Sequence, residues 1–152
     1  MQIKLIVVGN VKETFYQNKI EEFQKQINKK ISIQLICLKD ESIPKQTSET
    51  VIRKIKETEG EKILNQIQNT DYVAALCIDG KKMDNSKIKK SIATAEKRGK
   101  SSIAFVIGGS LGLSDAVVKR ADEKISFSNM TFPHQLMRVM LMEVLADTIC
   151  GK

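Results

Sequence analysis

The sequence is poor in the residue types on which most catalytic and metal sites are built. It holds one histidine, two prolines and three cysteines in 152 residues. A lone histidine, His134, excludes two-histidine and histidine-cluster metal schemes, and no metal site is expected. Cys37, Cys77 and Cys150 are odd in number, widely spaced and without a C-x-x-C pair. That argues against both a disulfide framework and zinc. They read as buried or partly buried free thiols of a cytoplasmic protein. No apolar run approaches the roughly 20 residues that span a bilayer, so no membrane partner is expected. The opening "MQIKLIVVGN" lacks a small-residue cleavage site and reads as a first strand, not a signal peptide.

Nucleotide and acyl-transfer signatures are missing too. "IGGSLG", Ile107 to Gly112, is neither G-x-G-x-x-G nor a Walker motif. Nothing marks a Ser-His-acid elbow around Ser110, Ser114, Ser126 or Ser128. The carboxylates fall mostly on the exposed faces of expected helices, which disfavours a carboxylate pair. What remains is a site of backbone groups and apolar walls, with the reactive group carried by a bound cofactor.

What the chain does have is the make-up of one globular domain, expected to span residues 1–152. Hydrophobic residues make up 41% and charged residues 28%. The net charge of +7 suggests a polyanionic partner. From Lys81 to Lys100 the chain carries eight lysines and arginines against Asp84 and Glu96. That stretch is either a solvated helix face or a phosphate-contacting RNA face.

Apolar spacing predicts five strands alternating with five helices. The strands are "IKLIVVG", "ISIQLICL", "DYVAALCIDG", "SIAFVIGG" and "KISFS". Tyr16, Ile20, Phe23 and Ile27 mark the first helix face. "KDESIPKQTSE" reads as a mobile loop. A helix follows from about Ser48 to Ile67, with Gly60 expected to bend or interrupt it. The third and fourth helices run from about Asn85 to Arg98 and from Ser114 to Ala121. The last helix starts at Pro133, a favoured first-turn residue, with Thr131 as a capping oxygen. Its apolar residues, among them Met137, Met140, Leu141, Met142 and Leu145, fit either core packing or a dimer contact. The fold class is α/β, with a mostly parallel sheet covered by helices on both faces. Ligands in such sheets bind outside the carboxyl ends of the strands, here "CIDG", "VIGGSLG" and "FSNMTF".

Those three ends, with "ETEGEKIL" and "SNMTFPHQLMRVMLME", resemble the RlmH family of SPOUT-class methyltransferases over about the first 145 residues. The resemblance implies a C-terminal trefoil knot, otherwise nearly absent from proteins. It also implies a homodimer that uses S-adenosyl-L-methionine to methylate ring N3 of a pseudouridine in large-subunit ribosomal RNA. The alternatives are a diverged relative with another substrate and a non-catalytic RNA-binding protein.

Carried over by position, the cofactor loops are Leu76; Gly108, Gly109 and Gly112; and Phe127, Ser128, Asn129, Met130, Thr131 and Phe132. Catalytic candidates are His134, as a structural hydrogen-bonding residue or part of an RNA face, and Arg138. The arginine is expected to salt-bridge across the dimer or to contact phosphate. Relatives usually carry Tyr-Arg in the last helix and a basic Tyr-His tail. This sequence has Ala146 and Asp147 at the first place and ends in "TICGK". With the glycines set against the cofactor, Gly108→Val is expected to block binding and leave the fold intact.

Overall fold

The computed structural model of the protein describes residues 1–128 and 134–151, with His134 described by its backbone alone. Five strands form one sheet: β1 (Gln2–Val8), β2 (Ile33–Leu38), β3 (Asp71–Lys82), β4 (Ser102–Ile107) and β5 (Glu123–Ser126). Five helices alternate with them: α1 (Thr14–Asn28), α2 (Glu49–Leu64), α3 (Asn85–Lys97), α4 (Asp115–Arg120) and α5 (His134–Cys150). The strand order is β2-β1-β4-β3-β5, and every neighbouring pair is parallel. All five carboxyl ends therefore lie along one edge.

The apolar runs of β1 and β4 follow from their central place, since a strand covered on both faces has no solvent side. All six residues of β4 are buried. Ile3, Leu5 and Val7 join one core with Ile20, Phe23 and Ile27 of α1, Ile88 and Ala95 of α3, and Leu141, Met142 and Leu145 of α5. Ile6 and Val8 point the other way, to Ile63 of α2 and Val117 of α4. Helices thus cover both faces. The apolar surface of α5 divides: Leu141, Met142 and Leu145 are buried, while Met137, Met140 and Val144 are half-buried.

At the amino edge Lys4 reaches across β4 to Asp71, Nζ to Oδ2 3.0 Å, over the small side chain of Ala104. Both charges are nearly or fully buried. Asp71 Oδ2 also accepts from the Gln68 amide at 2.8 Å. The pair fixes how the first and third strands face each other.

Several expectations need correction. Cys37 is exposed, because β2 is an edge strand. The acids are mostly exposed, as expected, with Glu59 and Asp71 the buried exceptions. The loop after β2 is anchored at its start: Lys62 Nζ donates to the Lys39 carbonyl (3.1 Å) and to Glu41 Oε1 (3.0 Å). Gly60 does not break α2, which runs unbroken from Glu49 to Leu64 and is capped by Ser48, whose Oγ accepts from the Val51 amide. The glycine is buried where α2 meets α4, and a Cβ there would overlap Ser114 Oγ. Pro133 and Thr131 lie outside the described residues, as does most of the segment through which the implied knot runs.

Gly60 is therefore a contact residue. Gly60→Ala is expected to lower stability by about 1–3 kcal/mol through overpacking, although alanine is the better helix former. Urea denaturation should show a lower midpoint. An unchanged or raised midpoint would mean that α2 and α4 are not packed this closely.

Candidate functional site

Strand order brings the three expected loops together. β4, β3 and β5 are consecutive in the sheet, so their carboxyl ends lie side by side at about 4.8 Å spacing. Leu76 pairs with Ile125 across β3 and β5, and Ala75 pairs with Val106 across β3 and β4. Leu76 and Phe127 are half-buried and pack on the same core, the one shared by α1, α3 and α5. Ser128 follows, half-buried; its amide donates to Ser126 Oγ at 3.3 Å, and that hydroxyl donates to the Ser128 carbonyl at 2.8 Å. Asn129, Met130, Thr131 and Phe132 lie outside the described residues, and so does the side chain of His134.

After Leu76 the ladder between β3 and β5 breaks. Ile125 pairs first with Leu76 and again with Lys81, so Cys77, Ile78, Asp79 and Gly80 loop out of register. A Cβ on Gly80 would sit 2.7 Å from the Ile125 backbone, so only glycine lets the bulge close. Asp79 and Lys124 clasp it from outside at 3.1 Å. Apolar patterning missed this bulge; "DG" near a strand end was the available signal.

The glycine-rich loop turns tightly. Gly112 donates its amide to the Gly109 carbonyl at 3.0 Å, and Gly112 has φ +88°. Only glycine takes that conformation readily. The three glycines do different work. A Cβ on Gly108 would lie 2.9 Å from the Gly112 backbone and from Leu113 Cδ2. A Cβ on Gly109 would lie 3.0 Å from Glu59 Oε1 and 3.3 Å from Val8 Cγ1. Only at Gly112 is that direction open. The space at Gly108 is thus filled by the loop itself, contrary to the expectation that a ligand fills it.

Glu59 sits beneath this loop, 5% exposed, and its Oε2 accepts from the Glu41 amide at 2.9 Å. Burial pushes its carboxyl above the ordinary 4.5, and the neighbouring Asp40 and Glu41 charges add to the rise. The carboxylate links the start of the β2–α2 loop to the glycine turn. Sequence reading passed over it because it lies on a helix that looks solvent-facing.

Arg138 was expected on a contact surface, yet it is 1% exposed. Its Nη2 donates to the Val8 carbonyl at 2.6 Å, tying the first turns of α5 to the end of β1. Nε and Nη1 have no partner among the described residues. Burial lowers its pKa, opposed by the nearby Cys37 and Asp40. An incompletely paired buried cation is costly, so this arginine holds the carboxyl edge at the expense of stability.

The basic stretch does not form a single face. α3 is about 20 Å long at 1.5 Å per residue. Lys81, Lys82, Lys89 and Lys90 are exposed near its start, at the carboxyl edge. Arg98 and Lys100 lie at the far end. There Arg98 stacks over Tyr72 (5.3 Å), and Lys100 Nζ donates to the Asn69 carbonyl at 2.9 Å. A cavity of about 300 Å³ opens elsewhere, between α2 and the start of α4, lined by Ile52, Arg53, Lys56 and Ser114 among others. No helix of the described residues is long and apolar enough to cross a membrane.

The packing at Gly108 changes the expectation for its valine variant. Gly108→Val should open the turn and lower stability by about 1–3 kcal/mol or more, losing the fold before any selective loss of a ligand. Circular dichroism melting would check this. A variant as stable as the parent would mean that the turn can move aside.

Comparison with known proteins agrees with this arrangement. The family model described as "Predicted SPOUT methyltransferase" matches residues 1–146. The Ribosomal RNA large subunit methyltransferase H of Clostridioides difficile is 46% identical over 143 residues, which are 94% of this chain and 90% of that protein. The proteins of the same name from Bacillus pumilus and Lactococcus lactis subsp. cremoris are 47% and 46% identical over the same length and shares. With a family model covering nearly the whole chain and relatives this similar, the chain belongs to the SPOUT methyltransferase family.

Proposed function

We propose that this chain uses S-adenosyl-L-methionine to methylate ring N3 of a pseudouridine in large-subunit ribosomal RNA, working as a homodimer in the cytoplasm. The observation that carries the reading is the side-by-side placement of Leu76, the glycine turn and Phe127 at one sheet edge. Relatives bearing the ribosomal name at 46–47% identity support the substrate.

The described residues fit the cofactor. Leu76 and Phe127 offer half-buried apolar surface. Gly112 leaves room for close approach, and strand-end amides and carbonyls offer directional hydrogen bonds. Residues 127–132 and the implied knot through them belong to this reading. Bound there, the cofactor supplies an electrophilic methyl group on a sulfonium.

The chain's own contribution is positioning, which can supply about 7–11 kcal/mol of a barrier. Gly80 and Ser126 fix the two strand ends. Arg138 fixes the start of α5 against β1. The target imide nitrogen is weakly acidic, and lysines near the edge favour its deprotonated form. His134, the only histidine of the chain, follows the 127–132 segment after Pro133 in sequence. A second reading, another RNA substrate, is favoured by Ala146 and Asp147, which stand where the family resemblance leads one to expect Tyr-Arg.

Calorimetric titration with S-adenosyl-L-methionine, followed by labelled methyl transfer to ribosomes lacking the modification, tests the proposal. Binding with transfer is expected. Binding without ribosomal transfer would favour the second reading, and absence of binding would overturn both.

A further inference from the structure

We propose that Phe15 is a stacking platform for an unpaired base of the RNA, set across the start of α5 from a lysine cluster that takes the backbone phosphates. The inference rests on the RNA-methyltransferase reading above and names the surface by which that substrate would be held.

The large apolar side chains most exposed among the described residues are Phe15 (65%), Ile78 (63%) and Ile43 (47%). Phe15 follows the carboxyl end of β1, Ile43 follows that of β2, and Ile78 lies in the bulge in the carboxyl half of β3, so all three lie toward the edge that carries the candidate site. Phe15 stands in the first turn of α1, and Tyr16 meets it edge-on, with ring centroids 6.0 Å apart and planes at 60°. The neighbouring ring meets one edge, and most of the side chain faces water.

The segment before Phe15 is also tied to the start of α5. The Lys12 amide donates to Gln135 Oε1 at 3.3 Å. The chain entering α1 therefore lies against the first turn of α5, which directly follows residues 129–133. Within its layer α5 packs on both α1 and α3. Packed helices lie about 8–10 Å apart, so the first turns of α1 and α3 stand on the order of 20 Å apart, on either side of the α5 start. Lys81, Lys82, Lys89 and Lys90 are exposed at the α3 end of that span.

A ring on one side and cations on the other suit single-stranded RNA. Proteins read its splayed bases by stacking them on aromatic side chains and hold its backbone through lysine and arginine. The net charge of +7 also favours a polyanion.

The test is binding of a synthetic stem–loop RNA with a single-stranded uridine loop to the full chain and two variants. Phe15→Ala should weaken binding roughly 5- to 150-fold, with the salt dependence and the affinity for S-adenosyl-L-methionine unchanged. The chain has no tryptophan, so Phe15→Trp adds a single reporter whose fluorescence the bound RNA should quench while affinity is kept. Unchanged RNA binding by Phe15→Ala, or no RNA binding by the parent chain, would overturn the proposal. So would loss of binding that tracks dissociation of a dimer in sedimentation, which would make Phe15 a self-association residue. Should Phe15→Ala fail to fold, an unquenched indole in Phe15→Trp with RNA bound would overturn it alone. RNA binding through Phe15 without any methyl transfer would instead sink the enzymatic reading and leave this one standing.

Discussion

Parallel pairing of β4 with β1 on one side and β3 on the other holds the centre of this protein. From it follow the burial of both sheet faces, the helix layers and the gathering of every strand's carboxyl end on one edge. The crossovers do not run in simple order. β4 returns between β1 and β3, and β5 lies beyond β3. Loops distant in sequence, at Leu76, Gly108 and Phe127, become neighbours for that reason alone.

The two edges of the sheet treat buried charge differently. At the amino edge Lys4 and Asp71 Oδ2 meet at 3.0 Å, while Asp71 Oδ1 has no partner among the described residues. At the carboxyl edge Glu59 accepts from one amide in a site that raises its pKa. Arg138 makes one short bond and leaves two nitrogens without partners among the described residues. Unsatisfied buried polar groups are few in native proteins, and each calls for a reason. Glu59 under the glycine turn and Arg138 against Val8 both shape the ground on which a ligand would rest.

Most of the architecture was legible because it is local. Buried strands such as "IKLIVV" and "SIAFVI", and the helix face of Ile20, Phe23 and Ile27, are written in apolar spacing. The reasons for individual residues were less legible because they are not local. Gly60 looks like a helix breaker until Ser114 is seen against it. Gly108 looks like room for a ligand until Gly112 and Leu113 fill the space. Arg138 looks like a surface cation until α5 is laid on β1. Cys37 looks like a core thiol until β2 proves to be an edge strand. The candidate loops were placed by resemblance, and the strand order brings their described residues to one edge.

The central claim is that the carboxyl edge at β4, β3 and β5 is where the methyl donor binds. Hydrogen–deuterium exchange with and without S-adenosyl-L-methionine tests it most directly. The account predicts slowed exchange at residues 76–82, 107–113 and 126–136, with no change at the amino edge around Thr70 and Ser101. Protection confined to the cavity between α2 and α4, with the three strand ends unaffected, would contradict it.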